Sequence, residues 1–217
     1  MRVLITAGPT YEPLDPVRFI GNHSTGKMGY ALAEAFAAEG AVVTLVSGPT
    51  NLPNPTDPRI TTVRVQTAAE MFAAATAVAS AANVWVFAAA VADYRPAEVA
   101  TQKIKKSGNT LTLELVKNVD IAFELGKTKR AEQFSVGFAL ETENEQAHAL
   151  GKLERKNFDL VVLNSLRNAG AGFRHDTNQV TLLEPEGRVT AFGLKPKTEV
   201  ARDIVAAVLA RLTLRHA

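Results

Sequence analysis

Short apolar runs and helically spaced apolar residues take turns along this chain, and their order predicts its elements. Arg2 to Ala7 reads as a buried strand; the three prolines between Gly8 and Asn22 then exclude a helix and leave a long loop. From Gly26 to Glu39 the residues Met28, Leu32, Ala35 and Phe36 recur at helical spacing, and Gly40 stands as the stop. Ala41 to Val46 reads as a second buried strand, Ser47 to Arg59 as a proline-rich loop and Thr61 to Val65 as a short alternating strand. Ala68 to Ala81 follows as a helix and Val84 to Ala90 as a strand. Tyr94 to Asn109 breaks this rhythm with a polar, lysine-bearing stretch of the length expected of a flap. Leu111 to Val116 alternates as a strand, Ile121 to Lys127 is a helix, Phe134 to Ala139 a strand, Glu145 to Arg155 a helix and Leu160 to Leu163 a buried strand. Val180 to Leu183 and Val189 to Phe192 form a hairpin across Glu184 to Gly187, and Glu199 to Leu212 closes the chain as an amphipathic helix.

Alternating strand–helix units with short buried strands predict an α/β fold built on a doubly wound, mostly parallel, Rossmann-like sheet. Ligands in such folds sit beyond the carboxyl ends of the strands, so the loops that follow strands are where chemistry belongs. The chain has 217 residues, 47% apolar and 21% charged, which suits one domain with a full core and shows no linker, repeat or low-complexity tract. Lys and Arg number 24 against 22 Asp and Glu, a formal +2 that favours neither nucleic acid nor an anionic membrane as a partner. The absence of cysteine excludes disulfides, thiolate metal sites and a cysteine nucleophile, and no apolar leader is seen, which points to the cytoplasm. Ala68 to Ala92 is rich in alanine, yet Glu70 and Asn83 interrupt it and it splits into a helical half and a β half, so it is not read as a membrane span.

Gly21-Asn22-His23-Ser24-Thr25-Gly26-Lys27-Met28 approaches the P-loop pattern but has Met28 where the Mg²⁺-binding hydroxyl belongs, and it does not directly follow a strand. A Ser-Thr-Gly turn entering a helix still aims backbone N–H groups and a positive helix end at an anion. Ser24 or Thr25 could equally serve as a plain helix cap. A dinucleotide site would need G-x-G-x-x-G after the first strand and an acid after the second, where Gly8-Pro9-Thr10 and Ser47-Gly48 stand instead. Ala88 to Ala92 places small residues at a strand end, followed by Asp93, suited to Mg²⁺ or ribose hydroxyls or to an ordinary Asx turn. Lys103-Ile104-Lys105-Lys106, with Arg95 nearby, would attract a polyphosphate, although charge runs are commonly solvated surface. His23, His148, His175 and His216 lack metal-ligand spacing, and no G-x-S-x-G is present.

Several longer strings, in order and along nearly the whole chain, resemble the phosphopantothenoylcysteine synthetase family of coenzyme A biosynthesis in its bacterial form. They are Ile5 to Thr10, Glu12 to Arg18, Asn22 to Gly29, Ala89 to Tyr94, Lys103 to Lys106, Val116 to Asn118, Gly137 to Ala139 with Glu141-Thr142, and Lys156-Asn157 through Asp159 to Asn164. The resemblance implies a ligase that uses CTP and Mg²⁺. The carboxylate of 4′-phosphopantothenate attacks the α-phosphate, pyrophosphate leaves, and the amine of L-cysteine opens the acyl-cytidylate to give the amide and CMP. Charge neutralisation and positioning suffice for both steps, so the missing cysteine nucleophile is no obstacle.

Residue by residue, the resemblance gives Asn22 the hold on the acyl-nucleotide, Arg18 the phosphate or carboxylate of the pantothenate substrate, and Lys103 the flap cation, supported by Lys105 and Lys106. Ser24, Gly26 and the helix start would cradle the triphosphate, with Gly8 also among the nucleotide-binding positions. Asp93 falls at ribose and metal, Ala90 and Phe138 beside the base, and Lys117 and Asn118 near the nucleotide. Val119 stands where many relatives carry proline, Tyr11 where arginine is frequent, and Leu140 interrupts a pair of small residues; these touch the base and loop edges and bear on CTP against ATP. The resemblance also implies a homodimer, contacting through strands at about 110–117 and 178–193 around the flap at about 94–109. It further implies a stand-alone enzyme or a domain separated from a phosphopantothenoylcysteine decarboxylase. An NAD(P)-dependent reductase and a non-catalytic nucleotide-binding module are the alternatives.

Overall fold

Alternate residues of the first strand, β1 (Arg2–Ala7), enter different cores: Val3, Ile5 and Ala7 pack on one side and Leu4 on the other. The same alternation runs through β4 (Val84–Phe87), where Val84 and Val86 oppose Trp85 and Phe87, so the sheet is covered on both faces. The computed structural model describes residues 1–106, 108–141, 145–165 and 175–215. Thr142 and His216, and Ser107 within the flap range, lie outside the described residues.

The remaining sheet strands are β2 (Val42–Ser47), β3 (Ile60–Arg64), β5 (Phe134–Glu141), β6 (Leu160–Ser165), β7 (Val180–Leu183) and β8 (Val189–Ala191). The eight lie in the order β8-β7-β6-β5-β4-β1-β2-β3. From β6 to β3 every pairing is parallel, whereas β7 and β8 join antiparallel, so the sheet is mixed and mostly parallel. Helices α1 (Lys27–Ala38) and α5 (Lys197–Arg215) cover one face; α2 (Ala68–Ala79), α3 (Ile121–Gly126) and α4 (Glu145–Arg155) cover the other. No helix of the described residues is long and apolar enough to cross a membrane.

Several expectations are corrected here. The strand expected over Val84 to Ala90 ends at Phe87, because the following residues turn to meet the loop after β1: Ala90 N–H donates to the Gly8 carbonyl at 2.9 Å and Pro9 and Ala90 form an isolated bridge. The strand expected over Leu111 to Val116 is only Leu115–Lys117, and it pairs with Tyr94–Pro96 as a separate ribbon at the base of the flap. The loop from Gly8 to Asn22 contains a small ribbon of its own, Tyr11–Pro13 against Phe19–Gly21, with the Tyr11 and Phe19 rings stacked at 3.8 Å. The late hairpin, whose second strand was expected to run to Phe192, ends at Ala191 and forms the edge of the main sheet. Its first strand is paired to β6 and contributes Val180, Leu182 and Leu183 to the cores.

The order of strands reverses between β1 and β4, the place where open sheets of this kind leave a crevice. Close approach keeps it narrow. A Cβ on Gly29, in α1, would lie 2.4 Å from the Ala7 Cβ, far inside contact distance, so glycine lets α1 lie directly on β1. Replacing Gly29 by alanine is expected to lift α1 and to lower stability by about 1–3 kcal/mol, the usual cost of overpacking a dense core. A denaturant midpoint equal to that of the parent protein would show that the helix has room to move.

Candidate functional site

Two cavities meet at this reversal. The larger, about 730 Å³, is lined by Asn22, Ala90, Asp93, Lys117, Asn118 and Phe138 among others, so six of the residues singled out in the sequence come together there. The smaller, about 150 Å³, opens beside Ser24, Thr25 and Gly26 and the first turn of α1. Ala89, Ala90, Phe138 and Leu140 line both. The small side chains of Ala89 and Ala90 thus form a shared wall over which one extended ligand can reach from one cavity to the other.

Backbone and amide bonds fix this wall. The Asn22 side-chain amide donates to the carbonyls of Ala90 at 3.0 Å and Val91 at 3.2 Å. Asn118 Nδ2 donates to the Ala92 carbonyl at 2.8 Å, and Thr10 Oγ1, fully buried, accepts the Ala92 N–H at 3.0 Å. Asn118 N–H reaches the Asp93 carbonyl at 2.8 Å, which sets Asp93 at the mouth of the larger cavity with its side chain exposed. Three loops are thereby bound into one unit, which a binding site for a large anion needs if its dipoles are to be aimed in advance.

The start of α1 corrects the plain-cap alternative. Its N-cap is Gly26, at φ 80° in the left-handed region, which has no side chain with which to cap the helix. Ser24 Oγ instead accepts the Gly26 N–H at 3.4 Å, and Thr50 Oγ1 donates to the Thr25 carbonyl at 2.8 Å. An uncapped helix start lining a cavity is suited to an anion.

Not every predicted residue reaches the cavities. Gly8 lines neither; it lies beneath, its carbonyl accepting from Ala90. Lys103, Lys105 and Lys106 are exposed and outside both cavities. Arg18 is also outside them, and its guanidinium is engaged within the chain: Nε and Nη2 donate to Asp15 Oδ2 at 3.0 and 2.5 Å, and Nη2 donates to the Ile104 carbonyl at 2.9 Å. Ile104 N–H returns a bond to Asp15 Oδ2 at 3.1 Å. The buried Asp15 carboxylate also accepts the N–H groups of Val17 and Arg18, each at 2.9 Å. Arg18 and Asp15 thus clasp the flap at the half-buried Ile104, between the exposed lysines.

Sequence reading missed Lys152 and Lys156, which bring two further cations to the larger cavity from the end of α4; Lys156 Nζ lies 2.9 Å from Asp120 Oδ1. Their spacing of four, one helical turn, was the available signal. It also missed Asn164, Asn178 and Lys197, which line the smaller cavity. Lys197, only 7% exposed, donates to the His175 carbonyl at 2.5 Å. Its pKa is lowered by burial first and by the Lys27 charge second, against a raising effect of Asp176. Among the described residues no group of three or more His, Asp or Glu side chains could hold a metal.

The Arg18 guanidinium holds the Asp15 carboxyl well below the ordinary carboxylate range, with backbone N–H donors adding to the effect against burial. A pKa lowered by folding means that the clasp is complete above the ordinary carboxylate range and fails only as pH falls through the depressed value. Protection of the Ile104 amide from hydrogen exchange is therefore expected to persist from pH 7 to pH 4. Asp15→Asn should accelerate that exchange at least tenfold at pH 7, and equal exchange in the two proteins would show that the flap is held by other means.

The chain matches the family described as "DNA/pantothenate metabolism flavoprotein C-terminal domain" over residues 1–212. It is 49% identical over 215 residues to a protein of an unknown prokaryotic organism called cysteine/cysteine sulfinic acid decarboxylase, covering 99% of this chain and 59% of that one. It is 46% identical over 211 residues to the coenzyme A biosynthesis bifunctional protein CoaBC of Haemophilus influenzae, covering 97% of this chain and 52% of that one. The chain spans between half and three fifths of the length of these two relatives. Among solved structures it is similar to the C-terminal domain of a CoaBC protein, with a TM-score of 0.82, 42% identity and coverage of 98% and 97% of the two chains. A Cab2 variant in complex with phosphopantothenate-cysteine shares the fold, with a TM-score of 0.76, 21% identity and coverage of 98% and 86%.

Proposed function

Since this chain belongs to the family of DNA/pantothenate metabolism flavoprotein C-terminal domains, we propose that it is the phosphopantothenate–cysteine ligase of coenzyme A biosynthesis, driven by CTP. The observation that carries the reading is the meeting of the Asn22 turn, the small-residue wall and the uncapped start of α1 at one strand reversal. The Cab2 complex supports the product class, since a chain of the same fold binds phosphopantothenate-cysteine.

In this reading the nucleoside occupies the larger cavity, with Phe138 and Val119 beside the base and Asp93 at the ribose. Lys117, Lys152 and Lys156 supply positive charge, and the phosphates cross the Ala90 wall toward Ser24 and Gly26. Asn22, bound to the Ala90 and Val91 carbonyls, stands where the α-phosphate passes and positions the acyl-cytidylate. Asp93 offers a single carboxylate, a donor set that fits a Mg²⁺ ion entering on the triphosphate and not one caged by protein. Lys103, Lys105 and Lys106 close from the flap, and Arg18, through its clasp on Ile104, acts by placing that flap.

Leu111, Leu113 and Leu115, exposed at 56%, 38% and 43%, recur at every second position of the segment that returns from the flap. We assign this stripe to the homodimer contact. The product retains the carboxylate of cysteine, so a decarboxylase, fused or separate, is the enzyme class that consumes it.

With CTP, Mg²⁺, 4′-phosphopantothenate and cysteine, the protein is expected to release pyrophosphate and form the amide, and to do so more slowly with ATP. No pyrophosphate with either nucleotide rejects the ligase. Asn22→Asp, which sets a negative charge against the nucleotide phosphates, is expected to slow amide formation at least a hundredfold. Lys156→Ala should raise the KM for CTP several-fold, and an unaltered KM would remove Lys156 from the nucleotide site.

A further inference from the structure

Among the described residues, the Asn164 Oδ1 atom is the buried side-chain acceptor without a hydrogen-bond partner. Such an atom is costly unless a donor reaches it, and its cavity names the donor's surroundings. Asn164 lines the small cavity of about 150 Å³ together with Lys197, a residue 7% exposed whose ammonium also donates to the His175 carbonyl. Met28, Ala88 and Phe138 give the same cavity apolar lining. A phosphate brings acceptors alone, so it can answer Lys197 but not Asn164. A zwitterion answers both.

We propose that this cavity is the subsite for the amino-acid substrate, cysteine: its ammonium donates to Asn164 Oδ1, its carboxylate pairs with Lys197, and its thiol lies on the Met28 and Phe138 side. The proposal rests on the ligase reading and deepens it. The cavity shares Ala90 with the wall that Asn22 holds, so an amine bound there stands beside the expected acyl-cytidylate. Pyrophosphate has left the helix start before the amine is needed, so the amino acid enters vacated space. In the step itself the ammonium first gives one proton to solvent and the neutral amine attacks the acyl carbon. The C–N bond forms, the C–O bond to phosphorus's oxygen breaks, CMP leaves with that electron pair, and the amide nitrogen loses a second proton. A cavity this small also limits the acceptor to a short side chain.

The test compares cysteine with cysteamine, which has the amine and thiol but no carboxylate, in the parent protein, Lys197→Met and Asn164→Leu. Pyrophosphate release and thermal unfolding are followed in the same samples. In Lys197→Met the preference for cysteine over cysteamine, as a ratio of kcat/KM values, is expected to shrink at least tenfold. In Asn164→Leu the KM for cysteine should rise at least tenfold more than that for CTP. A preference unchanged in Lys197→Met, or equal rises of both KM values in Asn164→Leu, overturns the subsite. Should Asn164→Leu fail to fold, the Lys197→Met ratio decides. If the parent protein releases no pyrophosphate, the ligase reading falls and takes the subsite with it; if it releases pyrophosphate and the ratio is unmoved, the subsite alone falls.

Discussion

The backbone contact between the loops after β1 and β4 governs everything built around it. Two parallel strands that part at a reversal would ordinarily let their loops diverge, yet here the Pro9–Ala90 bridge and the Ala90-to-Gly8 hydrogen bond hold them together past the strand ends. That is possible only because no side chains intervene. A Cβ on Gly48 would come within 1.7 Å of the Pro9 carbonyl oxygen, so the chain after β2 lies directly against the same loop. The result is a rigid floor of backbone dipoles with alanine methyls for a surface, on which a nucleotide can rest closely.

Charge is arranged around that floor in separate groups with separate tasks. Lys117, Lys152 and Lys156 stand at the larger cavity, Lys197 is buried at the smaller one, and the flap lysines are held outside. Buried acids do structural work at a distance from the cavities. Glu12 accepts the Ala68 N–H at 2.9 Å at the start of α2, and Asp15 fastens the flap through Arg18 and Ile104. Both belong to the loop after β1, so one segment ties a helix, a flap and the site together.

Much of this could be read from the residues because the signals were local. The buried runs gave β1 and β6, helical spacing gave α1 and α4, and the Asn22, Ala90 and Asp93 strings proved to share one cavity. What escaped depended on partners distant in the chain. The strand after α2 stops at Phe87 because Gly8 captures Ala90, about eighty residues away, and nothing near Phe87 announces it. For Arg18, which the resemblance places at the phosphate or carboxylate of the pantothenate substrate, the pairing with Asp15 three residues earlier was legible in the spacing, but the hold on Ile104 was not. Asn164 and Lys197 lie on different elements of the last third of the chain, and only tertiary packing sets them beside Ser24.

The placement of Lys197 at the opening of α5 has a consequence for how the protein is made. A cavity whose rim begins at Ser24 is not closed until Lys197, far later in the chain, has been made. The basin at α1 stays unfinished throughout that time, so binding competence waits on the docking of α5.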